Sequence, residues 1–206
     1  MNDTLKFLSF SDPNVQFVVL GTMILGATAA MVGSFSFLRK RALVGDAIAH
    51  SILPGVCLSF MISGEKDPLW LIIGAIISGW ISLLMIDGIS RTTKLKSDAA
   101  IGIVLSVFFG LGILLLTTIQ HSGNAAQAGL DKFLFGKAAS LTKDDIMIFS
   151  GIGIFLVIVV LLLYKEFKLI SFNPDYAKVI GLPVKFLEFL LSTITILAVA
   201  VGIQAV

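Results

Sequence analysis

Long apolar runs separated by short polar breaks dominate the chain, and their lengths set its architecture. Six runs stand out, at about 15–38, 44–63, 69–90, 98–119, 146–164 and 186–204. Each is close to or above the roughly 20 residues that a helix needs to cross the hydrocarbon of a bilayer. The run FSGIGIFLVIVVLLLY at 149–164 has no polar face, whereas a helix of a soluble bundle repeats its apolar stripe every 3.6 residues. The pattern predicts an all-α fold, a polytopic transmembrane helical bundle with about six spanning segments, and residues 1–206 read as a single transmembrane domain.

Composition strengthens this reading. Hydrophobic residues make up 57% of the chain and charged residues 14%, against about a quarter charged in soluble domains. A multi-pass membrane location follows. The net charge of +2 gives no ground for a nucleic-acid partner, and the single cysteine, Cys57, permits no intrachain disulfide. Residues 1–14 carry Asp3, Lys6 and Asp12 and lack the basic start of a secretory signal, so none is predicted.

The polar breaks orient the bundle. Arg39-Lys40-Arg41, then Arg91, Lys94 and Lys96, then Lys165, Lys168, Lys178 and Lys185 hold ten of the fifteen lysines and arginines. The alternate connections hold Lys6, Lys66, Lys132, Lys137 and Lys143. The positive-inside rule places the first set in the cytoplasm and the N-terminus outside. Residues 120–145 then lie outside, where KFLFG is expected to dip against the membrane face. Residues 165–185 lie in the cytoplasm. Within them Asn173-Pro174-Asp175 is a helix start, with Asn173 as N-cap and Pro174 in the first turn, and Gly181 and Pro183 stop the helix. A short cytoplasmic helix at about 174–180 is predicted, either with Tyr176 and Val179 packing on a partner and Lys178 in water, or as a plain amphipathic connector resting on lipid.

The second apolar run, ALVGDAIAHSILPGV after the basic cluster, carries the chemistry. Asp46 and His50 are four apart and share one helix face. Facing lipid, either is costly, so the face is expected to point to a bundle interior or a watery path. Carboxylate and imidazole together suit first-row divalent metals. They equally suit a proton relay, or a structural pair that packs one helix on another. One helix supplies at most two ligands, so a metal needs others from elsewhere, such as a second subunit. Pro54 removes the backbone donor to the carbonyl of His50 and is expected to kink the helix. Ser97 is expected to cap the fourth span, with Asp98 at its positive end. Asp87 is expected to meet solvent or Arg91, and His121 to be a surface residue. No phosphate-binding loop, H-E-x-x-H, C-x-x-C or G-x-S-x-G occurs in the sequence.

Four ordered stretches, LRKRALVGDAIAHSILPGV (38–56), SDAAIGIVLSVFFGLGILLL (97–116), LFGKAASLTKDD (134–145) and SFNPDYAKVIGLP (171–183), resemble the permease subunit of bacterial ABC transporters that take up zinc, manganese or iron. The resemblance implies a transmembrane permease that performs no covalent chemistry. ATP is hydrolysed in a separate cytoplasmic ABC ATPase dimer, and an extracytoplasmic metal-binding protein delivers the ion. A second permease subunit, identical or closely homologous, completes the path. It implies that Asp46 and His50 are transient metal-path ligands. It also implies that 171–183 is the ATPase-coupling segment, with Asn173, Pro174, Asp175, Tyr176, Ala177, Gly181 and Leu182 matching the motif. Members of the family continue well beyond this length, so a C-terminal part of the family domain is expected to be missing. The alternatives from other classes are an ion- or proton-coupled secondary transporter and a non-transporting, truncated membrane protein.

Overall fold

The computed structural model describes residues 13–39, 42–64, 68–121 and 143–205, and every element among them is a helix. In chain order these are α1 (Pro13–Leu38), α2 (Ala42–Ser51), α3 (Leu53–Ser63), α4 (Pro68–Thr92), α5 (Ser97–His121), α6 (Lys143–Leu162), α7 (Tyr164–Phe172), α8 (Pro174–Val179) and α9 (Val184–Ala205). Five apolar spans are long enough to cross a membrane, and the bent pair α6–α7 makes a sixth. The protein is therefore an all-α, multi-pass membrane bundle. KFLFG and most of 134–145 lie outside the described residues.

Two boundaries depart from the sequence reading, each for a local reason. Residues 164–172, read as a connector, form α7, which turns away from α6 by 68°. Phe167 and Ile170 are three apart and both buried, while Lys165 and Lys168 are exposed, so the segment is a short amphipathic helix. Ser97 is the first helical residue of α5 rather than its cap. The carbonyl of Lys96 accepts from the N–H groups of both Ala99 and Ala100, which makes Lys96 the flanking residue.

The second span is one path built of two helices. Pro54 interrupts the ladder between α2 and α3, as its missing N–H requires. Bonds from Ile52 N–H to Ile48 and from Val56 N–H to Ile52 carry the helix across the break. The span is then held by a close crossing with α4. A methyl added at Gly55 would sit 2.1 Å from the carbonyl oxygen of Gly74, so only glycine allows this approach. At the same crossing the buried Ser78 hydroxyl donates to the Ser51 carbonyl at 2.6 Å.

Among the described residues two large cores and a small third one, of Leu25, Phe149 and Val201, result, and α9 contributes to all of them. Val44, Ile48, Leu53, Val56 and Phe60 pack with Leu71, Val104 and Phe108 in one cluster. Val32, Phe35, Leu156 and Phe167 pack with Ala177 in the second. From α9, Ile196 and Ala200 enter the first, and Leu187, Leu191 and Ile194 enter the second. Large apolar side chains such as Ile62, Leu162 and Phe37 point outward, an arrangement that suits lipid or another membrane helix.

Candidate functional site

The geometry of α2 is set by which of its faces is buried. Val44, Ala47, Ile48 and Ser51 are buried, following the i, i+3, i+4, i+7 rhythm of a packed face. Leu43, Asp46 and His50 occupy the other side. The Asp46 side chain is 68% exposed and that of His50 is 45% exposed, so neither points into the interior of this bundle. The polar pair lies on the outer face of a membrane span.

Asp46 Oδ1 and His50 Nε2 are 3.7 Å apart. That exceeds hydrogen-bonding distance, so the two groups do not satisfy each other. With metal–ligand bonds of about 2.1 Å, two atoms at this separation subtend roughly 120° at a shared ion. The spacing is compatible with two ligands of one metal. Among the described residues no group of three or more metal-ligating side chains occurs, so the pair is half of a site at most. The ring of His50 also meets Phe109 of α5 edge to face, with centroids 5.1 Å apart and planes at 77°. No sequence signal singled out Phe109, one of two adjacent phenylalanines in an apolar span.

Residues 171–183 have a defined shape. Asn173 Oδ1 accepts from the Tyr176 N–H at 2.9 Å, and Pro174 opens α8. At the other end Leu182 N–H donates to Ala177 and Gly181 N–H to Lys178, which is the Schellman pattern of a helix stop. Gly181 holds φ +86 there, a left-handed conformation that glycine adopts without strain. Ala177 is buried, and Leu182 packs against the same cluster. Asp175 pairs with Lys178 at 3.0 Å in solvent. Phe172, Tyr176, Val179 and Ile180 are exposed, Val179 at 83%. The predicted helix and both of its ends are present, and its apolar residues face outward.

Other candidates are quieter. His121 folds back on its own helix, with Nδ1 2.8 Å from the Thr117 carbonyl. Asp98 stands in the first turn of α5. Asp87, together with Arg39, Ser36, Trp80, Ser192 and Thr195, lines a small cavity against the buried face of α2. Arg39 forms an ion pair with Glu188 of α9, tying the end of α1 to the helix that follows residues 171–183. Residues 149 positions apart carry no local signal of such a pair.

Comparison with known proteins places this geometry among transport proteins. Residues 11–206 match the model of the family described as "ABC 3 transport family". The chain is 48% identical over 200 residues to the manganese transport system membrane protein MntC of Bacillus subtilis, covering 97% of this chain and 46% of that protein. It is 43% identical over 197 residues to the zinc transport system membrane protein TroC of Treponema pallidum, covering 96% and 66%. Among solved structures, PsaBC from Streptococcus pneumoniae in complex with a Fab superposes with a TM-score of 0.83 at 32% identity, covering 98% of this chain and 70% of that one. The chain thus spans about half to two thirds of the length of these curated relatives.

Proposed function

The chain belongs to the ABC 3 transport family, and from that premise we propose that it is the transmembrane permease subunit of an ATP-binding cassette importer for divalent metal ions. The observation that carries the proposal is the outward-facing pair Asp46 and His50 on a span that is otherwise apolar. A carboxylate and an imidazole turned toward lipid are costly, so this surface calls for a polar partner. A second permease subunit, identical or closely homologous, supplies one. Across a two-fold axis the same patch meets itself, and two Asp46–His50 pairs bring four ligands to a shared path. Manganese, iron and zinc all accept such ligands, and relatives are named for transport of manganese and of zinc.

The permease itself carries out no covalent chemistry on this reading. A cytoplasmic ABC ATPase dimer supplies the energy and docks on the segment 171–183, where Asn173, Pro174, Asp175, Gly181 and Leu182 shape the helix, Ala177 anchors it and Tyr176 faces the partner. An extracytoplasmic metal-binding protein hands over the ion. Alternating access then moves the cargo between the two subunits past Asp46 and His50. A secondary transporter has no use for a capped cytoplasmic helix whose apolar residues are left in water, which favours the ATPase-driven reading.

The test is metal uptake by the assembled transporter carrying Asp46→Ala or His50→Ala. Protein level and complex recovery should match the parent. Uptake of radiolabelled manganese or zinc should fall at least about tenfold, equivalent to about 1.4 kcal/mol in the limiting barrier. Normal assembly with near-normal uptake in both variants defeats the metal path. Lost assembly with no separate effect on uptake assigns the pair a structural role instead.

A further inference from the structure

We propose that Phe109 is a positioning residue for the metal path: its ring holds the His50 imidazole with Nε2 turned toward Asp46. This inference rests on the metal-path reading above and adds to it a residue outside the polar pair.

A metal-binding histidine is commonly oriented by a hydrogen bond from its second ring nitrogen to a carboxylate or carbonyl. Among the described residues no hydrogen bond braces His50: its polar neighbour is Asp46, 3.7 Å away on the Nε2 side, and its ring contact is Phe109, with centroids 5.1 Å apart. A half-exposed imidazole on a helix surface turns about its terminal torsion unless something packs against it, because that torsion is broad. The edge-to-face contact at 77° is a favoured arrangement for two aromatic rings. It narrows the torsion and leaves the Nε2 edge free for the ion.

The rest of α5 places the ring there. Val104, Phe108, Leu116 and Ile119 are buried in the first core, which fixes the rotation of the helix about its axis. Phe109, one residue beyond Phe108, is thereby carried about 100° round from the core and toward the outer side of α2. Gly112 sets the distance. A methyl at that position would lie 2.6 Å from Leu53, so its absence lets α5 close on the second span. The Cys57 thiol reaches the Gly112 carbonyl at 3.8 Å in the same crossing. The two contacts advance together, His50 with Phe109 and Leu53 with Gly112, each three residues further on. The helices therefore run in the same direction, and the crossing is held one turn away from the ring pair.

The experiment compares Phe109→Ala, Phe109→Leu and Phe109→Tyr in the assembled transporter, with His50→Ala alongside. Initial rates of manganese(II) uptake are fitted for KM and maximal rate. Manganese(II) binding to the purified complex, followed by loss of the free-ion EPR signal, gives the same comparison where uptake is too slow to fit. Alanine and leucine should raise the KM or dissociation constant about tenfold, the size of effect an aromatic pair supplies, with complex recovery unchanged. Tyrosine, which keeps the ring, should stay within about twofold of the parent on the same scale. Leucine behaving like the parent overturns the proposal, since apolar bulk alone would then suffice. A fall in complex recovery that tracks uptake in the alanine and leucine variants also overturns it, by assigning Phe109 to packing. If His50→Ala impairs manganese handling and Phe109→Ala does not, this inference alone fails. If His50→Ala has no effect, the metal-path reading fails and carries this one with it.

Discussion

The docking role of α8 is open to a direct energetic test, because the helix is too short to stand alone. It has six residues, far fewer than the roughly 12–15 at which isolated helices become marginally stable in water. Its shape depends on its two ends and on the burial of Ala177 and Leu182. Asn173→Ala removes the oxygen that accepts from the Tyr176 N–H, a loss of about 1 kcal/mol for a typical N-cap. Gly181→Ala puts a side chain at φ +86, at a cost of about 1–2 kcal/mol. The two ends share no partner, so the effects should add to about 2–3 kcal/mol, or roughly 30- to 150-fold in the equilibrium constant for folding the helix. If the ATPase recognises that fold, its affinity should fall by at least about tenfold in the double variant. The assay is the amount of ATPase retained on immobilised permease across a range of ATPase concentrations, with membrane insertion measured in parallel. Tyr176→Asp keeps both caps and alters only the exposed apolar surface, so it should weaken retention as well. An ATPase affinity and an ATP-driven uptake unchanged in the double variant would refute the argument.

Two further outcomes test the packing and the orientation. Gly55→Ala should cost about 3 kcal/mol or more and lower the thermal midpoint of the detergent-solubilised protein, because its methyl would meet the Gly74 carbonyl at 2.1 Å. Gly26→Ala, with nothing within 4 Å, should leave the midpoint within a degree or so, and equal midpoints in the two variants would remove the crossing as a determinant of stability. For orientation, single cysteines at Lys94 and Gly129 in a Cys57→Ser background should react differently with an impermeant thiol reagent on intact cells. Labelling is expected at position 129 and not at 94, and the reverse pattern would invert the topology.

Much of this fold was legible because a bilayer imposes a coarse rule. A backbone in hydrocarbon must satisfy its own hydrogen bonds, so a long apolar run has few options besides a helix. The runs at 15–38, 69–90 and 98–119 reappear as α1, α4 and α5 with modest changes at their ends. α7 was missed because its buried residues, Phe167 and Ile170, are only two and stand among lysines, and the strong apolar run before it masks the change in period. The small helix α8 was legible for the opposite reason. Its signals are local: an asparagine that accepts from the next turn, a proline that needs no donor, and a glycine that turns left-handed. Contacts between distant residues, such as Arg39 with Glu188 or Gly55 with Gly74, leave no trace in the local pattern and emerge only once the helices are packed.

The polar pair shows where helical periodicity stops being informative. A spacing of four residues places Asp46 and His50 on one face, but does not say whether that face turns inward or outward. The burial of Val44, Ala47, Ile48 and Ser51 decides it. These residues form the packed stripe of α2, so the pair lies on the far side of the helix from the core. The same packing explains why 3.7 Å separates the two side chains. Among the described residues no hydrogen bond joins them. A group left unsatisfied at membrane depth is a cost that an isolated subunit carries and an assembled one can remove. If a second permease surface brings its own carboxylate and imidazole, the repulsion between the two carboxylates is relieved whenever a divalent cation sits between them. On the proposed metal path, the ion would then be part of what holds the interface, and removing the metal should weaken association of the two permease subunits.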